Sequence, residues 1–309
     1  MSQSPVRSPG AEPSPSAPAS IDGSPLLTVA EIGLLGAIWG GSFLFMRIAA
    51  PAFGAIPLVE VRLALGALIL APFLWRERSR FSRALWLRLA GIACVNSAIP
   101  FVLFAWAARH APAGVGAITN SMAVLFTAAV AYVLYGDAIS PRRAVGLAAG
   151  FAGVIVLASG RLAGASIGVP ALAGTFAAFL YGIGANLIRR HTATIPASAL
   201  AAATLLCGSV LLAPLAWLTW PAVPPDGRSW TSALLLGGLC TGLAFVLYYR
   251  LIRRVGALRA SSVTYLVPLF GILWAWLVLG EQPTGIMALS AALILGGVAL
   301  SQTPPRKQP

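Results

Sequence analysis

The sequence is short of charge. Only 9% of its 309 residues are Asp, Glu, Lys or Arg, against roughly 25% in soluble domains. It is also poor in the residues that build disulfides, metal sites and catalytic centres. Cys94, Cys207 and Cys240 are scattered through apolar runs, and His110 and His191 sit at the ends of runs. An odd number of such cysteines supports no disulfide framework, and no Cys or His pair has ligand spacing, so neither a metal nor another cofactor is expected. HExxH, a Walker loop, a nucleophile elbow and paired acids beside a histidine are all missing. That argues against an enzyme and removes direct use of ATP. No loop is long enough to be a soluble output domain.

What is present is apolar: 58% of residues are hydrophobic and the mean hydropathy is +0.86. Runs of about 20 apolar residues recur along the chain, the signature of a helical membrane protein. Ten spans are expected near Leu27 to Ile48, Ile56 to Trp75, Leu85 to Ala108, Ala113 to Tyr135, Ala144 to Gly160, Val169 to Ile188, Ala197 to Trp217, Ser232 to Tyr249, Ser261 to Leu279 and Gly285 to Ser301. Residues 1–25 hold six prolines and seven serines and read as a disordered tail; residues 303–309 read as a short basic tail.

The net charge of +13 is explained by its placement. With the N-terminus in the cytoplasm, Arg7, the Arg76–Arg88 cluster, Arg142, Arg143, Arg189, Arg190, the Arg250–Arg259 cluster, Arg306 and Lys307 fall inside, sixteen in all. Arg47, Arg109, Arg161 and Arg228 fall outside, and Arg62 lies within a span. That is the positive-inside pattern with both termini cytoplasmic, as in an inner-membrane protein, and it needs no nucleic-acid partner.

The chain repeats itself. At an offset of 144, Leu125 falls on Leu269, Phe126 on Phe270, Gly136 on Gly280, Asp137 on Glu281 and Phe101-Val102-Leu103 on Phe245-Val246-Leu247; at 142, Trp39 falls on Tyr181, Gly40 on Gly182, Arg47 on Arg189 and Pro72 on Pro214. The halves are 26–160 and 161–302, with five spans each. Because five is odd, the second half enters the membrane from the other side, an inverted pair of the kind many secondary transporters use.

Ten spans in an inverted 5+5 repeat, the Trp39-Gly40 pair, Arg62 early in the second span, and fourth and ninth spans ending in Gly136-Asp137 and Gly280-Glu281 resemble the drug/metabolite transporter superfamily, in its EamA-type permease branch. The resemblance covers all but the tails. The sequence departs from the family at Asp137, where Glu is usual, and at Val124, opposite Pro268. The resemblance implies a permease of a small metabolite and leaves the substrate open; we expect transport of an amino acid or a related compound by alternating access, run, in the absence of an ATP-binding motif, on protons, a counter-substrate or the substrate gradient. It leaves open whether the bilayer is only the solvent or, as for a lipid flippase, the source of the cargo; a sensor or scaffold that binds without transport is the rival of another class.

Polar groups at membrane depth are the site candidates, because burying them is costly unless they face a cavity or a partner. Glu60 and Arg62 project about 200° apart on a helix, so Arg62 is assigned to a cavity and Glu60, the coupling candidate, toward Arg47. The alternative is that all three reach to the outer surface. Asn96, Asn120, Asn186, Thr264 and Tyr265 are candidates for substrate contact or for hydrogen bonds between helices. Trp39 with Tyr181, and Tyr265 with Trp274 and Trp276, are candidate walls for a flat substrate. Gly136 with Asp137 and Gly280 with Glu281 are read as structural helix breaks, the glycine ending one helix and the acid capping the next.

Overall fold

The computed structural model describes residues 25–162, 165–192 and 194–302. The tail at residues 1–24, the basic tail at 303–309, and Arg7, Arg306 and Lys307 lie outside the described residues. Among the described residues nine helices are long and apolar enough to cross a membrane and a tenth, α9, is shorter: α1 Pro25–Phe53, α2 Ala55–Arg76, α3 Arg83–His110, α4 Ala113–Tyr135, α5 Pro141–Ala158, α6 Gly168–His191, α7 Ala197–Leu218, α8 Gly227–Val255, α9 Val263–Leu279, preceded by the turn of helix Ala257–Ala260, and α10 Gly285–Gln302. At about 1.5 Å per residue, even the 18 residues of α5 and of α10 nearly cross a hydrocarbon core. A two-residue antiparallel ladder, Arg161 opposite Ser166 and Leu162 opposite Ala165, joins α5 to α6.

Local signals set the ends. The Ser82 hydroxyl accepts from the Leu85 amide, Ser140 from Arg143 and Asp226 from Ser229, each occupying one of the orphan donors at a helix start. The Asp226 cap starts α8 at Gly227, five residues ahead of the apolar run that announces it. At the other end, Gly136 and Gly280 adopt φ of 70° and 69°. This left-handed conformation suits a residue without a Cβ and stops α4 and α9 in the same way.

The halves interlock. α1 packs on α9, and its repeat mate α6 packs on α4; α2 packs on α7 and α8, and α5 on α10. Glycine makes the first two contacts possible. A Cβ on Gly40 would lie 2.6 Å from Phe270 Cβ, and one on Gly182 would lie 2.8 Å from the Phe126 carbonyl carbon. These are mates at corresponding crossings, close approaches that small residues permit in membranes. Outside, Leu68, Val133, Ile155, Val210 and Trp217 present their side chains to the surroundings, an apolar exterior suited to lipid.

Gly40→Ala should therefore force α1 away from α9 and lower stability by about 1–3 kcal/mol, the usual cost of overpacking. Gly33→Ala, where nothing lies within 4 Å, should be neutral or stabilising by up to about 1 kcal/mol. Thermal unfolding of the detergent-solubilised protein distinguishes the two.

Candidate functional site

A cavity of about 770 Å³ occupies the middle of the bundle. Its lining comes from α1, α2, α3, α4, α6, α7, α8 and α9; α5 and α10 stay outside it. The lining runs to Arg189, Ala197, Tyr249 and Ser261 at the end where the arginine-rich loops lie. Toward the opposite end it goes no further than Phe43, Met46 and Phe104. α7 lines the cavity through Ala197, Leu200, Ala201, Thr204 and Leu205.

The helices that form the wall are irregular where they border it. α3 widens to π-helical turns over Cys94–Ala98, and its mate α8 over Leu235–Leu243. α4 breaks at Ser121, and Ser261 and Ser262 break the helix ahead of α9. Such departures from the i→i−4 ladder re-aim side chains and gather at functional sites. They bring Asn96, Ser97, Asn120, Cys240 and Thr264 to the cavity.

Arg62 is the charged group at the centre, with only 8% of its surface exposed. Its Nε donates to Thr241 Oγ1 at 2.9 Å, and its guanidinium carbon lies 3.6 Å from the centroid of the Phe101 ring. The ring face contributes about 0.5–2 kcal/mol. Thr241 Oγ1 in turn lies 2.9 Å from the Leu236 carbonyl, one π-turn back. Because the threonine proton goes to that carbonyl, its oxygen lone pair faces the arginine. A Cβ on Gly237 would lie 3.1 Å from Arg62 Cα, so the helix that holds the arginine is seated closely on the helix that carries Thr241.

Aromatic side chains complete the wall. Trp39 lies 5.0 Å from Tyr248 and 6.2 Å from Phe245, centroid to centroid, and Tyr181 lies 6.2 Å from Phe101 and 6.0 Å from Phe104. Thus Trp39, Arg62, Asn96, Asn120, Tyr181 and Thr264 share one cavity.

Other candidates lie elsewhere. Asn186 is buried between α6 and α4, where its amide nitrogen donates to Thr127 O across to α4 and to Gly182 O on its own helix, and its oxygen accepts from Arg189; its polar atoms are used between and within helices. Tyr265 turns the other way and bonds Gln302 through its hydroxyl. Trp274 donates to the Ala37 carbonyl, and Trp276 is on the exterior. Neither borders the cavity.

The expected Arg47–Glu60 pairing does not form. Glu60 faces α7, accepting from Ser209 at 2.5 Å, off the cavity. Arg47 pairs with Glu281 at 2.9 Å and donates to the carbonyls of Ala108 and Arg109. The second Glu281 oxygen accepts from the Ala113 amide at 2.9 Å. The acids also do not cap the helices that follow them: Ser140 caps α5 and Thr284 caps α10. Glu281 instead caps α4 in the other half, while Arg47 caps the end of α3, each charge meeting the helix end it favours. The Arg47 mate, Arg189, pairs with the Glu281 mate, Asp137, at 2.9 Å, and Arg190 adds a second bond at 2.8 Å.

Thr241, Phe101, Phe245, Tyr248 and Tyr249 were not among the sequence candidates. The repeated Phe-Val-Leu motif was a usable signal for two of them, since Phe101 and Phe245 both line the cavity.

Comparison with known proteins fits this architecture. The EamA-like transporter family matches residues 29–159 and 169–303. The chain belongs to the EamA-like transporter family. It is 27% identical over 85% of its length to an uncharacterized transporter of Archaeoglobus fulgidus, covering 93% of that protein. A probable terminal-alkyne amino-acid exporter of Streptantibioticus cattleyicolor is 25% identical over 85% of this chain and 89% of its own. An aromatic amino acid exporter of Ancylobacter novellus is 28% identical over 58% of this chain and 61% of its own. A solved crystal structure superposes with a TM-score of 0.62 at 24% identity, covering 90% of this chain and 96% of that one, and shares the fold. This EamA-family chain is therefore an integral protein of the cytoplasmic membrane and a transporter of small molecules.

The Asp137 site carries a pH prediction. Hydrogen bonds from Arg189 and then Arg190 hold its carboxyl below the usual range. A lowered folded-state pKa contributes stability that is fully present above the unfolded value of about 4. It is lost as pH falls through the folded one. Asp137→Asn should accordingly lower the unfolding temperature by the same amount at pH 5, 6, 7 and 8, with the difference closing only below about pH 4.

Proposed function

We propose that the protein is a secondary active transporter that exports an amino acid or a related small metabolite by alternating access. The observation that carries the reading is a one-sided cavity built from both halves. It extends to the arginine-rich end and stops, toward the other, at Phe43, Met46 and Phe104, above which Arg47 ties α1 to α3 and α9. With the basic end in the cytoplasm, this is an inward-facing state. The cavity volume falls in the range of small-molecule sites, and the amino-acid exporters among the relatives support the substrate class.

The repeat suggests how the other state closes. Arg47, Glu281 and Ala113 map onto Arg189, Asp137 and Ala257. Here Asp137 holds Arg189 and Arg190 but, among the described residues, not the Ala257 amide. In this proposal the basic end closes when Asp137 takes that amide, as Glu281 takes Ala113, while the Arg47 cluster opens. Glu60, whose second oxygen is buried without a partner among the described residues, is the coupling group.

In proteoliposomes preloaded with amino acids, the protein should catalyse counterflow of an external labelled amino acid. Glu60→Gln should keep counterflow but lose its response to an imposed pH gradient. Absence of counterflow, or movement of labelled lipid in its place, would sink the reading. In a background without native cysteines, Met46→Cys should be labelled from outside by a membrane-impermeant maleimide several-fold faster when Glu281 is replaced by Ala. An unchanged rate would remove the Arg47 cluster as the outer closure.

A further inference from the structure

We infer that Arg62 is the anchor for a carboxylate on the cargo, so that this transporter takes organic acids and zwitterions with an apolar or ring-bearing body and rejects organic cations. The inference rests on the transport reading above and names the chemistry of its substrate.

It follows from where the acids are. Six of the eight Asp and Glu residues lie in the described part, and none lines the cavity. Glu31 pairs with Arg254, Glu77 with Arg80, Glu281 with Arg47, and Asp137 with Arg189 and Arg190. Asp226 caps α8 and Glu60 meets Ser209. Two cations line the cavity, Arg62 and Arg189; Arg189 has its acid and, among the described residues, Arg62 has none. A guanidinium stays charged at any accessible pH, so the cavity carries one uncompensated positive charge in a low-dielectric setting.

The group is also oriented. Its Nε proton is used by Thr241, its plane lies on Phe101, and Nη1 is 3.9 Å from Met46 Sδ, a weak acceptor. No oxygen of a described residue accepts from Nη1 or Nη2. An arginine fork meets the two oxygens of a carboxylate in one plane, with charge-assisted bonds. The π-turn that spends the Thr241 proton on Leu236 O is what leaves its oxygen to fix the fork. An ammonium group in the same cavity finds aromatic faces and neutral oxygens, such as those of Ser42, Asn96, Asn120 and Thr264, but no carboxylate of a described residue. The repeat mate of Arg62 is Thr204, also on the cavity wall. Only one side of the pseudo-symmetric site therefore holds the charge, and the cargo is bound in one orientation.

Three probes with the same ring and two-carbon linker isolate the charged end: 3-phenylpropionate, L-phenylalanine and 2-phenylethylamine. Binding to the purified full-length protein in nanodiscs should favour both acids over the amine by about 10- to 100-fold, the range for a charge-assisted bond. Arg62→Gln should erase the preference and Arg62→Lys should keep part of it. Thr241→Val, which frees the fork, should reduce it. Equal binding of the amine, failure of both acids to bind at millimolar concentration, or a folded Arg62→Gln protein that still prefers the acids would each overturn the inference. If Arg62→Gln does not fold, the wild-type panel and Thr241→Val decide. Counterflow of a cargo without a carboxylate would leave the transport reading standing and overturn this one.

Discussion

Hydrocarbon offers no hydrogen bonds, so a backbone that crosses it must satisfy its own donors and acceptors. α5 and α10 obey this without interruption and take no part in the cavity. The exceptions are π-helical in α3 and α8, and breaks in α4 and ahead of α9, and all of them adjoin the cavity. Irregular backbone is affordable only where protein or water can meet the released groups, and the central space is that place. The same constraint governs charge. The acids of the helices and their ends are each met by an arginine, a hydroxyl or an amide nitrogen, and one guanidinium is left to a ring, a threonine and the open cavity.

The two-fold repeat gives this arrangement its frame. Gly40 and Gly182 seat two equivalent crossings, Gly136 and Gly280 stop two equivalent helices, and Arg47–Glu281 and Arg189–Asp137 tie equivalent corners. The departures from symmetry are where the two ends differ. Glu281 reaches a helix N-terminus in the other half, whereas the shorter Asp137 is shared by two arginines. Arg62 faces the cavity from one half, and Thr204 from the other.

Much of the fold was legible in the sequence. Apolar runs, their glycine and proline boundaries and the repeat offsets are written in residue types, and the odd number of spans per half makes the repeat inverted. The position of Arg62 follows from the cost of leaving it in lipid. Other site residues were not legible, and the reason is physical. A helix apolar on all sides shows no periodic face, so Asn120, on the cavity, and Asn186, between two helices, look alike. A π-turn shifts register without changing composition, so nothing in LLGGLCTGL announces that Thr241 meets Arg62. The Arg47–Glu281 pair spans 234 positions, although the repeat held a clue, since it maps onto Arg189 and Asp137.

The bond between Arg62 and Thr241 also sets an order in time. The two residues are 179 positions apart, and chains are synthesised at about 5–20 residues per second. α2 therefore enters the bilayer with its arginine roughly 10 to 35 seconds before the helix carrying Thr241 exists. Phe101, 39 residues on by sequence number, arrives much sooner. During synthesis the Met46 sulfur of α1 is already made when Arg62 appears and the ring of α3 comes next, so the nascent first half must hold its buried cation on these until the second half is made.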